Sequence, residues 1–193
     1  MKRVCVFAGS SAGVRPEYMA AATDLGRVLA ARGIGLVYGG ARVGLMGAVA
    51  DAVLTGGGEV TGVIPRSLVE KEVAHSGLTE LRVVTTMHER KALMADLSDG
   101  FLALPGGMGT LDELFEILTL RQTGKAPPLP IILFDKAYWQ SVIKFEALLE
   151  HGMVSEKDRE LARFADSAEE VWSALIENGL VVQTLERDSE QDF

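Results

Sequence analysis

LALPGGMGTLDELFEIL, residues 102–118, joins a strand, a glycine-rich turn and a helix within seventeen positions. Phe101-Leu102-Ala103-Leu104 is a short apolar run of the kind that forms a buried strand. Pro105 has no N–H to offer a ladder and ends it. Gly106, Gly107 and Gly109 follow, and Thr110 reads as the opening of a helix with Leu111, Leu114, Phe115 and Leu118 on its apolar positions. Glycines let the backbone approach a phosphate, and a helix start supplies free N–H groups with partial positive charge. The stretch therefore predicts a phosphate site. It is neither a P-loop, because no Gly-Lys-Ser/Thr follows, nor the GxGxxG dinucleotide fingerprint. Thr110-x-x-Glu113 also has the form of a capping box, which is a structural device. A cap needs none of the three glycines, and a phosphate loop does.

Outward from this stretch the chain alternates strands and helices. A strand at 4–8 leads through Gly9-Ser10-Ser11-Ala12-Gly13 into a helix at 16–32, with Pro16 in its first turn and Gly33 beyond its end. A strand at 34–38, the turn Gly39-Gly40, a small-residue helix at 45–55 and a strand at 59–64 follow. From 66 to 81 the pattern weakens into a loop or lid, with a short strand at 81–84 and a helix at 87–97 capped by Thr86. Beyond the central helix come a strand at 129–134, a helix at 138–150 and a last helix capped within Asp166-Ser167-Ala168-Glu169. The expectation is an α/β fold: one Rossmann-like domain over residues 1–182, a doubly wound parallel sheet flanked by helices. Residues 183–193 read as an acidic, disordered tail. Ligands of such sheets bind at the C-terminal ends of the strands, where strand order reverses. Three glycine-rich turns, at 9–13, 39–40 and 106–109, all follow strands and should open onto that one edge.

Composition narrows the function. The 193 residues are 48% hydrophobic and 24% charged, ordinary for a globular protein, and no apolar run reaches the length of a membrane span. The net charge of −8 carries no electrostatic footprint for nucleic acid. The single cysteine, Cys5, lies inside an apolar strand and reads as a buried, inert thiol in a reducing cytoplasm. His75, His88 and His151 have no metal-ligand spacing, and Gly9-Ser10-Ser11 is not a GxSxG elbow.

Met87-His88-Glu89-Arg90-Lys91 sets two adjacent cations on a helix just upstream of the phosphate loop. A cation near Glu113 would keep that carboxylate ionised. Glu113 and Glu116, three apart, share a helix face. Two carboxylates beside a sugar phosphate suit glycosidic chemistry, in which one stabilises an oxocarbenium-like centre or positions water. A solvated helix face accounts equally for Glu116.

Three segments together resemble the LONELY GUY family of cytokinin-activating phosphoribohydrolases, often labelled "lysine decarboxylase-like". They are Gly39-Gly40-Ala41-Arg42-Val43-Gly44-Leu45-Met46-Gly47, Met87-His88-Glu89-Arg90-Lys91 and Pro105-Gly106-Gly107-Met108-Gly109-Thr110-Leu111-Asp112-Glu113. The resemblance runs from about residue 4 to 119 and more loosely to 175; after Thr119 the chain departs from the plant-type pattern towards a longer bacterial branch. It implies hydrolysis of N6-modified adenosine 5′-monophosphates, or AMP, to free base and ribose 5-phosphate without a cofactor or metal. It implies Arg90 and Glu113 as the catalytic pair. Lys91, Glu72, Gly106, Gly107, Met108, Gly109, Thr110, Leu111 and Thr119 would contact the nucleotide, with Gly9 and Ser10 as further contacts. It also implies a homodimer or higher homo-oligomer, with no nucleic-acid or membrane partner. Two other readings stay open at this level: a pyridoxal-phosphate amino-acid decarboxylase, and a nucleotide-binding sensor or carrier without turnover.

Overall fold

The computed structural model describes residues 1–69, 71 and 74–180. Seven strands form one parallel sheet: β1 (Arg3–Phe7), β2 (Gly35–Tyr38), β3 (Val60–Pro65), β4 (Glu80–Val84), β5 (Phe101–Ala103), β6 (Ile131–Phe134) and β7 (Arg163–Ala165). Their spatial order is β4-β3-β2-β1-β5-β6-β7. The order reverses between β1 and β5, which pair with Cys5 opposite Phe101 and Phe7 opposite Ala103. This is the doubly wound sheet expected from the strand–helix alternation.

Side-chain alternation along the strands builds two cores. Val4, Val6, Leu36, Tyr38, Leu102 and Ile132 point to one face. There they meet α1 (Pro16–Ala31), α2 (Gly44–Thr55) and α9 (Ala168–Glu177) through Leu25, Leu29, Val49, Val53 and Leu175. Cys5, Phe7, Val37, Phe101, Ala103 and Leu133 point to the other face. They pack on α4 (Met87–Asp96), α5 (Met108–Gln122) and α6 (Lys136–Val142) through Met94, Leu114, Ile117 and Trp139. Strands covered on both faces must be apolar at nearly every position, as these are. Burial, reinforced by the Glu113 carboxylate, pushes the Cys5 thiol well up, against the opposing pull of Ser98 and Arg90, so Cys5 stays a protonated thiol.

Four local expectations are corrected. First, α5 starts at Met108, with Gly107 as its cap residue and no side-chain cap bond, so Thr110 does not open it. Thr110 is the third helical residue, 3% exposed, and its side chain fills the space beside Gly106, where a Cβ would collide with it. True capping boxes lie elsewhere, at Thr86/Glu89 and Ser155/Asp158. Second, the helix expected at 138–150 is two, α6 and α7 (Phe145–Glu150). The break is at Ile143, extended at φ −122° and ψ 121°, which turns its β-branched side chain inward while Val142 stays exposed. Third, α6 begins early because Asp135, at φ 72° and ψ 81°, caps it by accepting the Tyr138 N–H at 2.9 Å. A non-glycine residue held there costs on the order of 1–3 kcal/mol, so its surroundings must impose it. Fourth, α8 (Glu156–Arg159) and β7 are too short and too polar to carry a period and were not foreseen. In the 66–81 region the structure has a short α3 (Arg66–Val69) and a bridge between Ala41 and Ala74. The tail expected at 183–193 lies outside the described residues. Among those residues no helix is long and apolar enough to cross a membrane.

Helices α1 and α2 pack closely at a glycine. A Cβ on Gly26 would stand 2.6 Å from both the Ala52 Cβ and the Val49 carbonyl oxygen. Since backbone cannot yield as a side chain does, Gly26→Val is expected to destabilise the fold by about 1–3 kcal/mol. The check is urea unfolding, as a lowered midpoint at unchanged slope; an unmoved midpoint would show that the two helices separate freely.

Candidate functional site

The turns after β1 and β5 meet at the C-terminal edge of the sheet where strand order reverses, and the loop that follows Gly39-Gly40 joins them through Gly44 and Leu45. The Gly9 N–H donates to the Pro105 carbonyl at 3.1 Å, tying the turn after β1 to the one after β5. The Gly9 carbonyl accepts the Leu45 N–H at 3.1 Å, tying the same turn to the start of α2. Gly44, at φ 60°, lies so close against the Ser10 backbone that no side chain fits between them. A non-glycine residue at Gly44 would be strained twice, by its dihedral and by this contact.

The loop itself is open. Gly107, Met108 and Gly109 are exposed, and nothing lies in the directions where side chains on Gly107 and Gly109 would point. The first amides of α5 find no acceptor four residues back within their own helix and are available to an anion. Gly106 is held from behind. The Tyr138 hydroxyl donates to its carbonyl at 2.5 Å and accepts its N–H at 3.4 Å. Tyr138 stands edge-on to Tyr18 and to Trp139, with centroids 6.0 and 5.2 Å away, and Arg15 covers the Tyr18 ring.

Arg90 is 5% exposed. Its Nη2 donates to the Gly39 carbonyl at 2.7 Å and its Nε to the Val63 carbonyl at 3.0 Å, so the guanidinium spans the ends of β2 and β3. The capping box of α4 sets the height from which the side chain descends. Glu113 is half-buried, one helical turn beyond Gly109. Both charges act on the Cys5 thiol in the centre of the sheet, the carboxylate raising its pKa and the guanidinium lowering it. Arg90 thus sits over the ends of β2 and β3, and Glu113 lies in the second turn of the helix that the glycine loop opens.

Other expected residues are arranged differently. Lys91 is engaged in ion pairs: its Nζ pairs with Asp112, the residue after Leu111, at 2.9 Å and with Glu116, clamping α4 to α5. Its side chain is 12% exposed. Burial alone would lower its pKa, but the two carboxylates outweigh that and raise it. Glu116 is therefore committed to an ion pair rather than standing as a second carboxylate beside Glu113. Thr119 donates to the Phe115 carbonyl and faces solvent, about 16 Å along α5 from its start by helical rise. It shares a shallow groove with Leu111, Asp112, Phe115, Glu116 and Leu120. Gly9 and Ser10 lie beside the loop, and Glu72 falls outside the described residues.

Sequence reading missed the supports of this site. His75, 7% exposed, ties the segment after Glu72 to the second turn, its N–H donating to the Gly40 carbonyl at 3.0 Å. Its Nδ1 accepts the Gly77 N–H at 3.0 Å, so the ring proton sits on Nε2 and is donated to Asp51 at 2.9 Å. A lone histidine in a polar stretch gives no sign of this. Nor does Tyr138, thirty-two residues from the glycine it holds.

A family model described as "Possible lysine decarboxylase" matches residues 46–175. The chain is 44% identical over 175 residues to cytokinin riboside 5′-monophosphate phosphoribohydrolase LOG1 of Arabidopsis thaliana, covering 90% of this chain and 82% of that protein. With the phosphoribohydrolase LOG of Oryza sativa subsp. japonica it shares 43% over 171 residues, 88% of this chain and 71% of the relative. Among solved structures, the molybdenum cofactor carrier protein of Chlamydomonas reinhardtii superposes with a TM-score of 0.67 over 92% of this chain and 97% of its own. At 20% identity that likeness concerns the fold alone.

The Arg90 arrangement depends on the missing side chain at Gly39, where a Cβ would collide with Nη2. The colliding group is the tip of a flexible side chain, so Gly39→Ala is expected to fold. It should lose the bond to the Gly39 carbonyl, costing about 1.5–3 kcal/mol, and a crystal structure should show a displaced guanidinium. An Arg90 found unmoved in that variant would contradict this.

Proposed function

The chain belongs to the family of the cytokinin riboside 5′-monophosphate phosphoribohydrolases, and we propose on that premise that it hydrolyses the N-glycosidic bond of adenosine 5′-monophosphates, N6-modified ones included. The products are the free base and ribose 5-phosphate. The observation that supports the reading is an open glycine loop beside the reversal of strand order, at the start of the helix that carries Glu113, with Arg90 fixed over the neighbouring ends of β2 and β3.

In this reading the 5′-phosphate sits on the amides of residues 107–109, with the turn at Gly9 and Ser10 beside it. The C1′–N9 bond breaks with its electron pair leaving on the base, which takes up a proton, and water supplies the oxygen to C1′. Glu113 stabilises the positive charge developing on the ribosyl ring and orients the water. Arg90, held by two carbonyls, presents a fixed cation to the substrate's polar groups. The reaction is written without a cofactor. A Schiff-base decarboxylase, which the family model's description suggests, needs an amine that gives up its proton readily. The Lys91 ammonium is instead stabilised by two carboxylates and does not fit that role.

We further propose a homodimer or larger homo-oligomer. Support comes from the outer face of α5, where Phe115 is 40% exposed beside Leu111 and Leu120 in the groove that Thr119 lines. Burial of Cys5 fits a reducing, cytoplasmic setting. Sedimentation velocity should give at least twice the 20.7 kDa chain mass, and a monomer at micromolar concentration would overturn the assembly.

Catalysis is tested by incubating the protein with AMP and with isopentenyladenosine monophosphate and resolving the products by chromatography. Wild type should release base and ribose 5-phosphate, and Glu113→Gln should lose about 10²- to 10⁴-fold in turnover while still binding AMP. Binding of both nucleotides without product from wild type would overturn the hydrolase and favour a sensor or carrier.

A further inference from the structure

Tyr138 stands on α6, apart from the helices that carry Arg90 and Glu113, yet the chain goes to considerable lengths to place it. Asp135 adopts a left-handed backbone and spends its carboxylate on the Tyr138 N–H. The Asp135 N–H is itself anchored to the Ala165 carbonyl at 2.9 Å, and the Lys136 N–H to Asp166 at 2.8 Å, so the end of β7 pins the first turn of α6. The adjoining Trp139 is fully buried, with its indole N–H on the Ala103 carbonyl at 3.1 Å. The phenol is therefore wedged between two aromatic edges with its hydroxyl on both polar atoms of Gly106.

The Gly106 carbonyl and the Gly107 N–H belong to one trans peptide and point in opposite directions. Fixing the carbonyl towards Tyr138 turns the Gly107 N–H away from it. With glycine on both sides, this peptide would otherwise rotate at little steric cost. We infer that Tyr138 is a positioning residue of the phosphate loop: its hydroxyl locks the Gly106–Gly107 peptide with the Gly107 N–H presented to the 5′-phosphate. The inference rests on the hydrolase reading for the identity of the anion, and on the geometry alone for the lock.

Tyr138→Phe keeps the ring and its packing and deletes only the hydroxyl. KM for AMP and the inhibition constant for ribose 5-phosphate should each rise about tenfold, with kcat changed less than about twofold and the melting temperature unmoved. Affinity for adenosine, which has no phosphate, should be unchanged. In spectra of the unliganded proteins, the Gly107 amide resonance should shift or broaden in the variant. An unaltered Gly107 resonance overturns the lock whatever the wild type hydrolyses. An altered resonance with unchanged KM and inhibition constant overturns the role in phosphate binding. So does an equal loss on AMP and adenosine, which would mark general structural damage. If wild type turns over no AMP, the hydrolase reading falls separately. The lock then stands or falls on the Gly107 resonance, and its role towards an anion on ribose 5-phosphate binding by wild type against variant.

Discussion

A guanidinium 5% exposed must find acceptors within the protein, and Arg90 finds them on the carbonyls of Gly39 and Val63. Leaving such a charge unsatisfied would cost several kcal/mol, roughly the net stability of a small domain. Much of the site can be read as the means of meeting this requirement. The ends of β2 and β3 must lie side by side, which the parallel register provides. Residue 39 must lack a side chain, because Nη2 occupies the space. Helix α4 must start at a defined height, which the Thr86/Glu89 box sets, and must stay against α5, which Lys91 ensures by pairing with Asp112 and Glu116.

The glycine loop obeys a complementary logic. A phosphate site needs amides that face solvent, and exposed amides in a glycine run have little to hold their direction. Here the holding is done from behind and from the side. Thr110 packs over Gly106, Gly9 donates to Pro105, and Tyr138 grips both polar atoms of Gly106. The outer side of the loop is left bare while the opposite side is bonded to the fold. Preorganisation of this kind transfers the ordering cost from ligand binding to folding, where the packing of two cores can meet it.

The motifs were legible because each is local. A strand, a glycine turn and a helix start follow one another at 101–118, and Thr86-x-x-Glu89 caps its helix within four residues. Where reading failed, the reason was a packing contact that the local pattern does not announce. Thr110 has the sequence of a cap, but Gly106 leaves a hollow that its side chain fills, so the helix begins two residues earlier. The helix expected at 138–150 breaks because the second core draws Ile143 inward. The ion pairs of Lys91 with Asp112 and Glu116 on α5 were likewise not legible, because they join residues more than twenty positions apart.

The sequence by itself determined the α/β class and the three glycine turns, since periodicity and turn chemistry act over a few residues; Arg90 and Glu113 were singled out as a pair by the family resemblance. Only the tertiary structure decided that β1 lies beside β5, which lets Gly9 bond Pro105, and that Tyr138 and His75 hold turns thirty or more residues away. Hydrogen-bond partners so distant are chosen by the packing of whole elements, and no spacing along the chain encodes them.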